Sequence, residues 1–414
     1  MRARDVWALV RPVRRVQPGR QVERGRLARC TDVSDLRAVA LRKLPRAVFD
    51  YVDGGADEEV TIAANLAAYR RKTFYPRTLV DVSDVDVATE VLGAGLTAPI
   101  GLAPTGYTRM VHPDGEPAAA RAARDCGIPY TLSTVATATI EEVAATGHPH
   151  LWFQLYVLRD RGLTRSLVDR AAASGVEVLE LSVDTPVAGH RRRDVRNGFT
   201  IPPRITASTL ADMAVHLSWW TGMVAAPPLS IANLAGIDDG GAPKDATVES
   251  ITELFDPSVS WDDLSELRSL WGGRLLVKGP LGPDDAKRVI ATGADGIHLS
   301  NHGGRQLDRT VCPVDLVPAV RRAIGTGPTI VVDSGIRSGS DVALALAGGA
   351  DLCMVGRAYL YGLAAGGEAG VRHVVELLIS ELRRTMQLCG VTSVEELRRT
   401  GPAVTGGLEA ATGQ

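Results

Sequence analysis

A chain of 414 residues is long enough for one large α/β domain or two ordinary ones. Its 46 basic and 48 acidic side chains leave a formal net charge of -2, so no overall electrostatic pull draws it to nucleic acid or anionic lipid. No apolar run approaches the length of a membrane span.

Cys30, Cys126, Cys312, Cys353 and Cys389 are scattered, with no CxxC; an odd set of this kind points to a reducing, cytoplasmic compartment and inert buried thiols. No metal-ligand cluster is expected. Residues 1–30 are Arg-rich and interrupted by Pro12 and Pro18, so they read as a flexible basic arm rather than a secretory signal. A contact of that arm with lipid or a neighbouring subunit is the sharper alternative.

A helix is expected from Leu44-Pro45, with Pro tolerated in its first turn, through Val52 to a stop at Gly54-Gly55. Taken by itself, Tyr51 in this helix is a packing residue. A second helical stretch follows Asp57-Glu58-Glu59 and runs to about Arg71, and Phe74 to Leu92 alternates like extended structure. Gly93-Ala94-Gly95 precedes a strand and runs into Pro99, so it reads as a hairpin turn and not as a dinucleotide-binding fingerprint.

From there apolar runs recur at Ala98–Pro104, Ile128–Thr134, Leu151–Val157, Val178–Asp184, Leu275–Gly279, Gly296–Asn301, Thr329–Gly335 and Leu352–Arg357. Stretches of helical period separate them, among them Glu116–Cys126, Thr164–Ala173, Pro283–Thr292 and Ser340–Leu346. Eight strands alternating with helices predict a (β/α)8 TIM barrel, here spanning about 31–390 with an N-terminal helical segment. The connection after the fourth strand is far longer than the others, an insertion of about 187–260 at the active-site end. It carries Trp219-Trp220 and the apolar Met223–Ile231, which either pack on the insertion's own small core or rest on a membrane interface. Residues 391–414 read as a C-terminal tail.

Chemistry in such barrels lies at the carboxyl ends of the strands. Those ends deliver, in order, Thr105, Ser133, Gln154 with Tyr156, Ser182 with Asp184, Lys278, His302, Asp333 and Arg357. The sixth opens into Ser300-Asn301-His302-Gly303-Gly304-Arg305-Gln306-Leu307-Asp308, where Arg305 can clamp an anion while His302 removes a proton from the adjacent atom. A capped turn with a solvated His and Arg is the bland alternative for this nonapeptide. The seventh and eighth ends carry Asp333-Ser334-Gly335-Ile336-Arg337 and Gly356-Arg357, the loops that commonly hold phosphate in barrels. Asp184 meets His302 only if strands four and six converge over the mouth, a pairing that would hold the imidazole tautomer. Of Arg191, Arg192 and Arg193, one is expected as a ligand group and the rest as a solvated face. A phosphate anchor, a lysine facing an electron-rich ring, a His–Asp pair and two arginines for a carboxylate together describe a flavin site oxidising a hydroxy acid.

These residues resemble the FMN-dependent 2-hydroxy-acid dehydrogenase/oxidase family. Ser300–Asp308 matches its signature, as do Leu44-Pro45 through Tyr51, Ala103-Pro104-Thr105, Phe153–Tyr156, Val183–Pro186, Val277-Lys278-Gly279 and Gly356-Arg357. Val187-Ala188-Gly189 and Arg357–Gly362 resemble the actinobacterial, quinone-linked lactate enzymes of that family in particular. The resemblance implies His302 as catalytic base supported by Asp184, with Tyr51, Arg191 and Arg305 on the substrate carboxylate and Tyr156 on its hydroxyl. It implies FMN held by Pro104, Thr105, Ser133, Gln154, Ser182, Lys278, Ser300, Asp333, Gly335, Arg337, Gly356 and Arg357, with Lys278 stabilising the reduced, anionic flavin.

The expected reaction is oxidation of an L-2-hydroxy acid, L-lactate first, with electrons passed to a quinone or another carrier. The expected assembly is a homo-oligomer, a homotetramer by analogy, without nucleic acid and with a peripheral membrane contact open through the insertion. Val135 stands where several members carry a bulky aromatic, Gly106 where the family has Gly or Ala, and Ser182 where Thr is usual. Val135 could open the pocket to substrates larger than lactate and Tyr107, beside Gly106, could refill that space, which leaves open a mandelate-type or biosynthetic oxidase using O2 on a larger substrate. A non-redox flavin isomerase and a flavin-binding protein without turnover are rivals of other classes.

Overall fold

The apolar runs fold as the eight parallel strands of a closed barrel in a computed structural model that describes residues 25, 27–199, 212, 215–234 and 251–405. They are β1 (Ile100–Leu102), β2 (Tyr130–Ser133), β3 (Leu151–Leu155), β4 (Val178–Ser182), β5 (Arg274–Gly279), β6 (Gly296–Leu299), β7 (Thr329–Val332) and β8 (Leu352–Val355). Each strand pairs with its successor and β8 returns to β1, with Cys353 opposite Ile100. The strands are buried on both faces, because helices cover the outside and side chains fill the inside. The (β/α)8 architecture read from the sequence is therefore the fold.

Three helices precede the barrel: α1 (Val33–Lys43), α2 (Arg46–Asp53) and α3 (Val60–Arg70). Pro45 is the N-cap of α2, one position earlier than the first-turn place expected for it, and α1 has no counterpart in the sequence reading. Between Phe74 and Leu92 only Thr89–Val91 is a strand; it pairs antiparallel with Ala94–Leu96 around Gly93. Val91 and Leu96 of this hairpin pack with Trp152, Val178, Leu276, Val331 and Leu352, plugging the end of the barrel opposite the strand carboxyl ends.

Outside the strands lie α4 (Gly115–Asp125), α5 (Ile140–Ala144), α6 (Arg161–Ala173), α7 (Arg192–Arg196), α8 (Leu217–Ala225), α9 (Trp261–Leu270), α10 (Pro283–Ala291), α11 (Pro313–Ile324), α12 (Gly339–Ala347) and α13 (Arg357–Cys389), the last kinked at Gly366-Gly367. Capping boxes start α5 (Thr139 with Glu142), α9 (Ser260 with Asp263) and α12 (Ser338 with Asp341), each satisfying amide groups that a helix start leaves unpaired.

Three expectations change. The stretch from 391, read as a tail, carries α14 (Val394–Thr405), with Val391, Val394 and Leu397 buried against the barrel body. Of the basic arm, residues 1–24 lie outside the described residues, but Leu27 and Cys30 are buried, so its last turn is docked. Of the insertion, 200–211, 213–214 and 235–250 lie outside them too; within it Trp219 is buried and its Nε1 donates to Met110 O at 2.9 Å, so it packs against the barrel body rather than on the insertion's own core. Among the described residues of the insertion, the exposed large apolar side chains are Val187, Val195, Val215, Leu217 and Val224, the last three on or beside α8. Among the described residues, no helix is long and apolar enough to cross a membrane.

Candidate active site

The end of α2 meets the loop after β6, and this junction builds the mouth of the barrel. A helix end leaves carbonyls without intrahelical partners and carries partial negative charge, so guanidinium groups suit it. Arg305 donates to Tyr51 O at 2.5 Å and Gly54 O at 3.1 Å; Arg357 donates to Val52 O at 3.0 Å, Gly54 O at 2.8 Å and Gly303 O at 2.8 Å. The two arginines thereby fix Tyr51 at the mouth, where its ring stacks on Phe199 with centroids 4.9 Å apart.

The nonapeptide is a scaffold as well as a reactive segment. Asp308 accepts from the backbone amides of Glu58, Val60 and Thr61 and so caps α3; Asn301 and Asn65 exchange side-chain hydrogen bonds at 2.8 and 2.9 Å. Gln306 donates to Asp184 O and Val187 O, fastening the loop after β4 to the loop after β6. His302 itself has φ 57°, a left-handed conformation that a non-glycine residue adopts only when its surroundings hold it there. Gly303 follows at φ 64°, and a Cβ on it would lie 2.5 Å from Arg357 Nη1, so only glycine lets that arginine reach the backbone.

His302 and Asp184 do converge. Nδ1 lies 3.1 and 3.2 Å from the two carboxylate oxygens of Asp184, which fixes Nδ1 as the protonated nitrogen and leaves Nε2 to accept a proton on the cavity side. Burial pushes the Asp184 carboxyl up, but the charge of His302, its hydrogen bond and the charge of Lys278 outweigh burial and hold it below the usual carboxylate range. The bland reading of a solvated turn is thus excluded for His302 and Arg305.

Around His302 the cavity is lined by Tyr51, Pro104, Thr105, Ser133, Gln154, Tyr156, Ser182, Arg191, Lys278, Arg305, Asp333, Gly335, Arg337, Gly356 and Arg357, so almost every site residue read from the sequence shares one wall. Asp184 and Ser300 are the exceptions: Asp184 supports His302 from behind the lining, and Ser300 is fully buried, its hydroxyl accepting from His302 N at 3.0 Å and so setting that strained backbone. The Thr105 hydroxyl is taken up by Tyr359 and Thr108. Of the three adjacent arginines, only Arg191 lines the cavity. Arg193 is not on a solvated face as expected but pairs with Asp50, Asp53 and Glu59.

Two features mark what the cavity receives. Gln154 Nε2 and Ser182 Oγ are buried on its wall with no hydrogen-bond partner among the described residues, an arrangement that costs free energy unless a ligand pairs them. Burial and neighbouring guanidinium charge pull Arg191 down to about 10 and Arg357 to about 9, so the mouth holds more cation than the protein neutralises. Lys278, by contrast, is paired with Asp333 at 2.5 Å and needs no added anion to be buried. Polar orphans for a flat heteroaromatic ring, Arg337 and Arg357 with Gly335 and Gly356 for a phosphate, and Arg191 with Arg305 for a carboxylate fit FMN plus a small carboxylic acid.

Sequence reasoning missed Phe255, whose ring stacks on Tyr156 with centroids 4.2 Å apart, together with Ile251 and Thr252 on the same wall. All three lie in the last part of the insertion, outside any strand end, and no local pattern marks them.

Comparison with known proteins agrees with this geometry. A family model described as FMN-dependent dehydrogenase matches residues 40–402. A Mycobacterium tuberculosis protein named "Putative L-lactate dehydrogenase" is 46% identical over 411 residues, covering 97% of each chain. An L-lactate dehydrogenase of Pectobacterium atrosepticum is 42% identical over 365 residues, 88% of this chain and 94% of that one. The solved structure of (S)-mandelate dehydrogenase, described as a monotopic membrane protein, superposes with TM-score 0.84 at 38% identity, covering 89% of this chain and 98% of that chain.

Proposed function

The chain belongs to the FMN-dependent dehydrogenase family, and on that premise we propose that it oxidises L-lactate to the 2-oxo acid and passes the electrons to a quinone or another carrier. FMN is its cofactor, and when bound it supplies the two-electron acceptor that side chains cannot provide. The observation that carries the reading is the His302–Asp184 pair facing Arg191 and Arg305 across a cavity walled by Lys278 and Arg357.

In this reading Arg191 and Arg305 hold the substrate carboxylate, with Tyr51 beside them, and Tyr156 orients the hydroxyl. His302 Nε2 takes the proton, and Asp184 stabilises the imidazolium that results. Base assistance of this kind contributes roughly 10²–10⁴ in rate. Ser133, Gln154 and Ser182 would hold the ring of FMN, Lys278 would supply positive charge beside it, and Gly335, Arg337, Gly356 and Arg357 would hold its phosphate. Ser300 sets the backbone of His302 through its hydroxyl.

A larger hydroxy acid is the second reading. Val135 and Gly106 touch, so that a Cβ on Gly106 would lie 2.6 Å from Val135 Cγ2, and this small pair widens the cavity beside Tyr107. The experiment is an anaerobic panel of hydroxy acids scored by bleaching of the yellow holoenzyme. L-lactate is expected to bleach it; bleaching by aryl hydroxy acids alone selects the mandelate-type reading, and bleaching by none selects the isomerase. Admitting air then separates dehydrogenase from oxidase by how fast the colour returns. The cytoplasmic location, the homotetramer and a peripheral membrane contact through Leu217 and Val224 belong to the same proposal, the last supported by the description of the mandelate enzyme as monotopic.

A further inference from the structure

The barrel interior holds a second charged pair that the roles above leave unused. Glu180 on β4 and His298 on β6 are fully buried, and His298 Nδ1 lies 2.7 Å from Glu180 Oε2. The other ring nitrogen, Nε2, lies 3.2 Å from Asp333 Oδ2 and 3.4 Å from Lys278 Nζ. Four ionisable side chains, three from β4, β5 and β6 and one from the residue that follows β7, therefore alternate in sign through the core: Glu180, His298, Asp333, Lys278. Asp333 and Lys278 reach the cavity wall, whereas Glu180 and His298 lie beneath it; Glu180 is level with the apolar Leu276 in register.

Two anions flank His298. Nδ1 is hydrogen-bonded to Glu180 Oε2, and Nε2 makes an ion-pair contact with Asp333 Oδ2, with Lys278 Nζ slightly farther at 3.4 Å. A neutral ring protonated at Nδ1 would turn its Nε2 lone pair toward Asp333 as well as toward Lys278, whereas the imidazolium presents an N–H to each carboxylate. Glu180 Oε1 has no hydrogen-bond partner among the described residues, so His298 is the charge that compensates this carboxylate. Burial opposes the charged ring, yet Glu180 and Asp333 outweigh burial and the repulsion from Lys278, and His298 titrates above the ordinary imidazole value.

We propose that Glu180 and His298 are positioning residues for Lys278: the imidazolium shares Asp333 Oδ2 with the ammonium group, so Asp333 does not neutralise Lys278 alone and the lysine keeps positive charge facing the cofactor. The inference rests on FMN lying over Lys278, as in the function proposed above. A cation held in the low-dielectric interior favours the reduced, more negative cofactor. Without the imidazolium, Lys278 and Asp333 form a closed pair and that preference weakens.

The test is the midpoint potential of the holoenzyme, measured by anaerobic dithionite titration against an indicator dye, which needs no hydroxy acid. The double variant Glu180→Leu/His298→Leu exchanges the pair for apolar side chains and leaves no lone charge in the core. Glu180→Gln/His298→Gln, which keeps polar side chains of similar size and likewise leaves no lone charge, decides the matter should the first double variant fail to fold. Each is expected to bind FMN at one per chain and to shift the balance toward the oxidised cofactor about tenfold, about 30 mV for a two-electron couple. A potential that stays unchanged or rises while FMN remains bound overturns the proposal; a purely structural pair would lower the melting temperature without moving the potential. Failure of the proposed reaction shows separately, as wild-type holoenzyme that L-lactate does not bleach.

Discussion

Asp184 and His302, 118 residues apart in sequence, meet with a carboxylate oxygen 3.1 Å from Nδ1, and each comes from the loop that follows its own barrel strand. Gln306 ties the two loops together by donating to Asp184 O at 3.1 Å, so the pair is held from the backbone as well as through its own hydrogen bonds. His302→Ala is expected to retain FMN and lose roughly 10²–10⁴ in kcat. Asp184→Asn removes the anion that fixes the tautomer and should lose activity in the same range. Turnover within tenfold of wild type in His302→Ala, measured with the flavin content confirmed by absorbance, would reject this base.

Arg191 is buried beside Arg305, and its charge is costly until an anion arrives. Arg191→Met should raise KM for the hydroxy acid at least tenfold, and it should also raise the melting temperature of the substrate-free holoenzyme, since it removes a buried cation that lacks full compensation. Steady-state kinetics and a melting curve on one preparation check both. A lowered melting temperature with unchanged KM would place Arg191 among the structural arginines, with Arg193.

Asp53, the last residue of α2, receives Arg37 at 2.6 Å, Tyr361 at 2.8 Å and Arg193 at 3.1 Å. Burial works against its charge, but the hydrogen bonds from Arg37 and Tyr361 and the charges of Arg37 and Arg357 hold the carboxyl down at about 2, against an ordinary 3.8. A carboxylate depressed in the folded state contributes stability that is present above its unfolded value and lost as pH falls through the folded one. The difference corresponds to about 2 kcal/mol. Asp53→Asn should therefore melt earlier than wild type at neutral pH, with the gap closing between about pH 4 and pH 2; a gap that is independent of pH would contradict the assignment.

Gly106→Ala places its Cβ 2.6 Å from Val135 Cγ2. Overpacking of this kind costs about 1–3 kcal/mol, and here the strain falls on the substrate wall. The variant should lose kcat/KM, and the added change Val135→Ala should restore most of it by removing the methyl that clashes. No recovery in the double variant would mean that the two residues do not share that space.

Leu217 and Val224 are exposed on α8, 66% and 79% respectively, while Trp219 is anchored inward. Leu217→Glu/Val224→Glu should abolish cosedimentation with anionic vesicles and leave L-lactate-dependent bleaching intact. Vesicle binding equal to that of wild type would remove this helix as the membrane contact.

The order of elements and the polar strand ends were legible in the chain because both are local. A parallel barrel strand must be apolar on both faces, and the residue where it stops is the residue that faces the mouth. Hence the eight runs predicted eight strands, and Lys278, His302, Asp333 and Arg357 stood on one rim before any geometry was known. The docked helix Val394–Thr405 was missed because the segment from 391, ending in the Gly- and Thr-rich 401–414, resembles a loose tail, and its burial depends on a surface supplied by distant residues.

What only the tertiary structure decided are the relations across the barrel. Ser300 serves the His302 backbone, Asp308 caps a helix some 250 positions away in the chain, and Phe255 folds back onto Tyr156. Above all, Glu180 and His298 sit in runs that otherwise read as ordinary buried strands. Each becomes tolerable only because the other, from a different strand, lies within 2.7 Å. A buried charge is stabilised by its partner in space and not by its neighbours in sequence, which is why the amino-acid sequence determined the barrel and the rim while the closed structure alone determined how the charges are shared.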